Sequence, residues 1–253
     1  MIQLKNAQEL AKMRRACQIS AEALKLGGRS IEAGMTTADL DKIIYDYIKR
    51  HGARPNFKGL YGFPGTACIS INDEVIHGIP SLSRQIRPGD IVSIDTGAAI
   101  NGFNGDNACT FPCGKVDIEA QRLMDVTKES LHRGIAAAVA GNRVGDIGHA
   151  VQSYVEENGF SVVRSFVGHG VGKELHEDPE VPNYGHAGHG VRLVNGMTIA
   201  IEPMVNQKHH SVKTLSDGWT VVTADGGLAA HFEHSIAILP GGPEILTIGW
   251  EEP

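Results

Sequence analysis

Apolar residues recur at intervals of three and four over residues 6–26. Leu10, Met13, Cys17, Ala21 and Leu24 fall on one face of a helix. Gly27 and Gly28 are expected to end it. A second helix is predicted over Thr37–Arg50, with Leu40, Ile43, Ile44, Tyr47 and Ile48 on its apolar side and Thr36 and Thr37 at its cap. Two more follow, near residues 118–140 and Val144–Glu157. The other apolar runs are short and β-rich: residues 66–71, 90–99, 107–112, 160–167, 197–204, 219–223 and 230–239.

The helical patterns repeat. Gly34 and Gly141 are 141 − 34 = 107 residues apart, and at the same offset Leu24 matches Leu131, Gly27 matches Gly134 and Ala33 matches Ala140. Asp39 matches Asp146, Tyr47 matches Tyr154 and Gly52 matches Gly159. Apolar pairs (Leu40/Ile147, Ile44/Val151, Ile48/Val155) fill the gaps. Two amphipathic helix pairs can look alike by coincidence, but three matched glycines and a matched Asp favour a duplication. Each half, roughly 6–112 and 113–249, is then a helix pair followed by strands. Helices outside one shared curved sheet follow from that arrangement. No Pro/Ser linker separates the halves, so residues 1–253 are expected to form a single α+β domain.

Composition narrows the function classes. Of 253 residues, 42% are hydrophobic and 21% charged, as in soluble globular chains, and the net charge is −6, which argues against a broad phosphate-binding surface. No apolar run approaches bilayer length, and MIQLKNAQEL lacks the apolar stretch of a signal peptide. Cys17, Cys68, Cys109 and Cys113 have neither CxxC nor zinc-finger spacing, which fits free thiols in a reducing, cytoplasmic setting.

Three features carry chemistry. In IVSIDTGAAINGFNGDNACTF, strand-like runs flank Asn101-Gly102, a hairpin turn signal. A two-residue turn sets Phe103 opposite Ile100 and Asp106 opposite Gly97. Since Asp95 and Gly97 share a face, Asp95 and Asp106 point to the same side, diagonally adjacent. Such carboxylates repel unless a cation or shared proton lies between them. In FVGHGVGKELHEDP, His169 lies between two glycines, with His176 in the same loop. Glu202 in MTIAIEPM and Glu233 in AAHFEHSIAIL are acids inside apolar runs, costly to bury unpaired. Four carboxylates and one imidazole suit a pair of divalent ions such as Mn, Fe or Co better than a structural zinc.

Asp95, Asp106, His169, Glu202 and Glu233, in this order, resemble the type I methionine aminopeptidases, as do SINDEVIHGIP, GHGVGKELHEDP and FEHSIAI. The resemblance runs from about Asn6 to Gly249 and is to the short bacterial form, without an N-terminal zinc-finger extension. It implies a pita-bread fold, a curved antiparallel sheet with pseudo-two-fold symmetry and helices on its outer face. It also implies two divalent ions, with Co, Mn, Fe, Zn or Ni all compatible. Asp95 would chelate one ion, His169 and Glu202 the other, and Asp106 and Glu233 would bridge them. By the same resemblance Glu202 shuttles a proton, and His77 and His176 contact the substrate. A methionine pocket is implied near Phe57, Leu60, Phe63, Cys68, Leu175 and Trp219. Leu60 and Leu175 stand where the family often has aromatics, and Phe57 where a smaller Cys can occur, so a different pocket shape is expected. The implied substrate is the N-terminus of a nascent polypeptide with a small second residue. The implied setting is a cytoplasmic monomer at the ribosome, without direct nucleic-acid or membrane binding. Two alternatives are a proline-specific peptidase and a metal-free binding module on the same fold. Assays of Met-Ala-Ser against X-Pro peptides, and metal analysis, discriminate them.

Overall fold

The structure is a computed structural model that describes residues 1–250; the last three residues of the expected domain, 251–253, lie outside the described residues. Among the described residues four α-helices form: α1, Ala7–Arg29; α2, Thr37–Arg50; α3, Ile118–Ala137; and α4, Val144–Glu157. Their starts follow local chemistry. The Asn6 side chain accepts hydrogen bonds from Gln8 N and Glu9 N while the Glu9 carboxylate reaches back to Asn6 N. Thr36 and Asp39 make the same reciprocal cap on α2, and Asp117 caps α3.

Two expectations about helix ends are corrected. Helix α1 runs through Gly27 and Gly28 to Arg29. A methyl group at Gly27 would lie 3.0 Å from Ile44 Cδ1, and one at Gly28 would strike the Phe111 ring. These glycines let the helix lie against the sheet and α2. Helix α3 stops at Ala137, three residues early, where Asn142 Nδ2 donates to the Ala137 carbonyl at 2.9 Å.

The central sheet has nine strands, all paired antiparallel. The order is Arg54–Pro55, Ile91–Ile100, Phe103–Pro112, Glu233–Leu239, Thr198–Ile201, Gly168–Gly170, Glu177–Val181. Ala67–Ile71 also pairs with Ile91–Ile100, and Gly242–Ile245 with Glu233–Leu239. This is the curved α+β sheet with helices on one face. The helices cover the face of Ile94 and Gly105. At Gly105 the α1 backbone at Ala16 and Cys17 comes so close that no Cβ fits. The hairpin has the expected register, Ile100 opposite Phe103 and Gly97 opposite Asp106, with Asn101 and Gly102 at φ +55° and +79°.

Three predicted strands are broken. Only Ser161–Val162 pairs within residues 160–167. The run 197–204 splits at Glu202-Pro203: Thr198–Ile201 stays in the main sheet, while Met204–Asn206 pairs with Ser161–Val162 and Ala229–His231 in a second sheet. The run 230–239 splits at Phe232 in the same way. The apolar run is continuous because both sheets are buried; the chain changes sheet inside it. Short strands without an alternating pattern, among them Gly168–Gly170 and Glu177–Val181, carry no local signal.

The 107-residue offset recurs in hydrogen bonds. Gly34 N donates to Ile86 O at 2.8 Å and Gly141 N to Leu193 O at 2.9 Å; Ile86 N donates to Met35 O and Leu193 N to Asn142 O. Asp39 accepts from Thr36 N and Asp146 from Arg143 N, each closing the first turn of a helix. A methyl group at Gly134 would lie 2.8 Å from Val151 and 3.4 Å from Ile201, as one at Gly27 meets Ile44 and Ile94.

Candidate metal centre

The sheet register places the acids. Asp95 pairs with Ala108 on one side and Glu233 pairs with Ala108 on the other. Ile201 pairs with His234, so Glu202, the next residue, continues the same row beside Glu233. Asp106 precedes Ala108 by two and so shares its face. Cys68, opposite Asp95 on the neighbouring strand, extends the row at its other end. A small residue at 108 leaves the space that the carboxylates enclose.

His169 enters from the Gly168–Gly170 strand. Neither flanking glycine has room for a side chain: a Cβ at Gly168 would strike Ala200 O, and one at Gly170 would strike Asp178 O. The His169 Nδ1 lies 2.8 Å from Gly170 O; a carbonyl only accepts, so Nδ1 carries the proton and Nε2 presents a lone pair. That Nε2 is 3.5 Å from Glu202 Oε1 and 3.7 Å from Asp106 Oδ2. Ligand atoms of Asp106, His169 and Glu233 all lie within 4.8 Å of one another.

Burial sets the electrostatics. It pushes Asp95 up to about 8 and holds Asp106, Glu202 and Glu233 well above the usual carboxylate range, with neighbouring acids adding to the last three. Burial, with His176 second, lowers His169 to about 4, so it is a neutral imidazole near pH 7. Asp95 Oδ1, Asp106 Oδ1 and Glu233 Oε1 are buried without a hydrogen-bond partner. Buried, clustered, unpartnered carboxylate oxygens beside an imidazole lone pair are a donor set that divalent cations fit.

All five residues open into one cavity of about 530 Å³, and every side chain expected to contact substrate lines it: His77, His176, Phe57, Leu60, Phe63, Cys68, Leu175 and Trp219. Phe57, Phe63, Cys68 and Leu175 form a buried apolar cluster against Leu60 and Trp219. The Phe63 ring meets the Trp219 ring edge-on, with centroids 5.1 Å apart. His77 has φ +60°, a conformation that non-glycine residues rarely adopt, and packs edge-on against Phe166 and Trp219. Burial pushes it down to about 4. His176, at the exposed rim, lies 4.5 Å from His169 between ring centroids.

The M24 metallopeptidase profile matches residues 11–240. The chain belongs to the M24 metallopeptidase family. It is similar to the methionine aminopeptidase of Clostridium perfringens, at 55% identity over 98% of this chain and 99% of that one. The crystal structure of methionine aminopeptidase from Thermotoga maritima superposes with a TM-score of 0.96 at 45% identity, over 98% of this chain and 99% of the other. A prolidase from Pyrococcus furiosus shares the fold at 23% identity and TM-score 0.79, over 97% of this chain and 65% of that one.

Three features of this M24 site have no readable signal in the sequence. His231 is buried, its Nε2 has no hydrogen-bond partner, and it stands 3.8 Å from Glu202 Oε2. Tyr61, 79% exposed and at φ +50°, lies nearly parallel to the His176 ring at 6.3 Å across the cavity rim. Asn183 Nδ2 holds the Glu202 carbonyl at 3.0 Å where the strand breaks.

Proposed function

We propose that this chain removes the initiator methionine from new polypeptides with a small second residue. Two divalent ions would be held by Asp95, Asp106, His169, Glu202 and Glu233. The observation that carries the reading is the row of buried acids, with His169, at one end of an apolar cavity. The names of the similar proteins support the same reading.

Each part of the cavity has a role. Phe57, Leu60, Phe63, Cys68, Leu175 and Trp219 make an apolar recess for an unbranched thioether side chain. The substrate's α-ammonium meets the carboxylate row. Divalent ions bound there supply Lewis-acid polarisation of the scissile carbonyl and lower the pKa of water. His77 and His176 hydrogen-bond the peptide and stabilise the tetrahedral oxyanion formed when water attacks. Glu202, beside His169 and less buried than Asp106 or Glu233, takes the water proton and passes it to the leaving amine.

The test is hydrolysis of Met-Ala-Ser and X-Pro peptides by metal-depleted protein to which divalent ions are returned. Release of Met, restored by metal and absent with X-Pro, supports the reading. Cleavage of X-Pro, or Met release that ignores metal, refutes it.

The same reading makes the chain a cytoplasmic monomer acting on nascent N-termini at the ribosome. No helix among the described residues is long and apolar enough to cross a membrane. It also makes the catalytic domain a duplication with halves near 6–112 and 113–249. The support is the hydrogen bonds repeated at the 107-residue offset; Asp95 and Glu202 stand at the same offset, 202 − 95 = 107.

A further inference from the structure

The extended segment ahead of α1 enters the active-site wall. Lys5 forms an ion pair with Glu177, and the two side chains are only 4% and 5% exposed. Each partner has a second tie. Lys5 Nζ also donates to Gln3 O at 3.0 Å, and Glu177 Oε1 accepts from Glu174 N at 3.2 Å. The Lys5 backbone is pinned, its N–H donating to Gly196 O at 2.7 Å. Gly172 is the residue that makes room: a methyl group there would come within 2.7 Å of Lys5 Nζ and 2.6 Å of Glu177 Oε1.

Between Gly172 and Glu177 lie Leu175, in the apolar recess, and His176, at its rim. Other ties hold the start of this loop. Asn104 Nδ2 donates to Gly172 O at 3.0 Å and Lys173 O at 2.9 Å, and Lys173 pairs with Glu9 of α1 at 3.0 Å. The far end has the Lys5–Glu177 pair. Glu177 is bonded directly to His176 along the chain and opens the strand Glu177–Val181, so its tie to Lys5 lies where the loop re-enters the sheet.

We propose that Lys5 and Glu177 are positioning residues: the buried pair holds the 172–177 loop so that Leu175 and His176 face the substrate. A buried ion pair is weak evidence of stability, because desolvation offsets the attraction, but it specifies one arrangement of the groups it joins. Here that arrangement is the wall of the catalytic cavity. The proposal rests on the role given to His176 above.

The test compares Lys5→Met and Lys5→Arg, alone and combined with His176→Ala, in the full chain. Metal content, thermal unfolding, kcat and KM are read for a Met-Ala-Ser peptide, and the His176 ring resonances by NMR. Lys5→Met is expected to keep its metal, lower kcat roughly 10- to 100-fold and shift the His176 resonances. Lys5→Arg restores most of the loss. In the His176→Ala background Lys5→Met adds little, because both changes remove one interaction. Equal losses from Lys5→Met in both backgrounds, with unmoved His176 resonances, overturn the proposal, as do wild-type kinetics. If His176→Ala leaves kcat unchanged, the role of His176 in catalysis has failed; the resonances of His176 in Lys5→Met then decide the positioning claim separately. Should Lys5→Met not fold, Lys5→Met with Glu177→Leu removes both charges and takes its place in the same measurements.

Discussion

Asp95 and Glu233, on strands far apart in the chain, pair with the same residue, Ala108, from its two sides. The methyl group of Ala108 is all that stands between them in the row. Ala108→Leu is therefore expected to fill the space that a cation needs while leaving the strand pairing intact. Metal affinity should fall by roughly 10- to 100-fold, the range for disturbed ligand surroundings. Metal titration followed by calorimetry checks it, with circular dichroism as the control for folding. Unchanged affinity in a folded variant means the row does not enclose the ions.

The raised carboxylates fix a pH dependence. An acid whose pKa is raised on folding stabilises the native state below its unfolded value, and that contribution is lost as pH rises to the folded one. For Asp95 the loss runs from about 4 to about 8. The buried imidazoles His77 and His169, pushed down to about 4, act oppositely, but only below their unfolded pKa of about 6.5. Above pH 6.5 these imidazoles no longer oppose the acids. Metal-depleted protein should thus melt at lower temperature at pH 8 than at pH 6.5, and added divalent ion should raise Tm more at pH 8, where binding displaces fewer protons. Thermal melts with and without chelator measure both. The same metal-induced rise in Tm at the two pH values would contradict the assignment.

His176→Ala should lower kcat roughly 10- to 1000-fold with metal still bound, since it removes a hydrogen-bond donor to the oxyanion and no ligand. Steady-state kinetics with metal analysis of the same sample tests this. Loss of metal would make His176 a ligand.

The chain's own Met1 should persist. Ile2 is β-branched, large and packed against the core, and the proposed restriction to a small second residue leaves no space for such a side chain beside the loops bearing His77 and His176. Mass spectrometry of untagged protein should show Met1, and an Ile2→Ala variant should lose it in the same host. A wild-type chain beginning at Ile2 refutes the restriction, unless another peptidase is shown to be responsible.

Local patterns in the sequence determined a good deal. The hairpin register followed from Asn101-Gly102 and the two-residue alternation of strands, so the shared face of Asp95 and Asp106 was legible before any coordinates. The start of the second helix followed from Thr36, whose side chain acts within one turn. The 107-residue offset was visible as matched glycines and aspartates, and Glu202 and Glu233 stood out by the cost of acids inside apolar runs.

Tertiary structure decided what depends on contacts between distant segments. That Gly27 and Gly28 continue a helix was settled by Phe111 and Ile44 packing against them. That two apolar runs change sheet at Glu202-Pro203 and Phe232 was invisible, because burial on both sides of the break erases the polar punctuation. His231 beside Glu202, Ala108 between two acids and Lys5 against Glu177 are side chains of ordinary types at unremarkable positions. Their neighbours come from other strands, and only the completed sheet, with the N-terminal segment laid against it, brings them within reach.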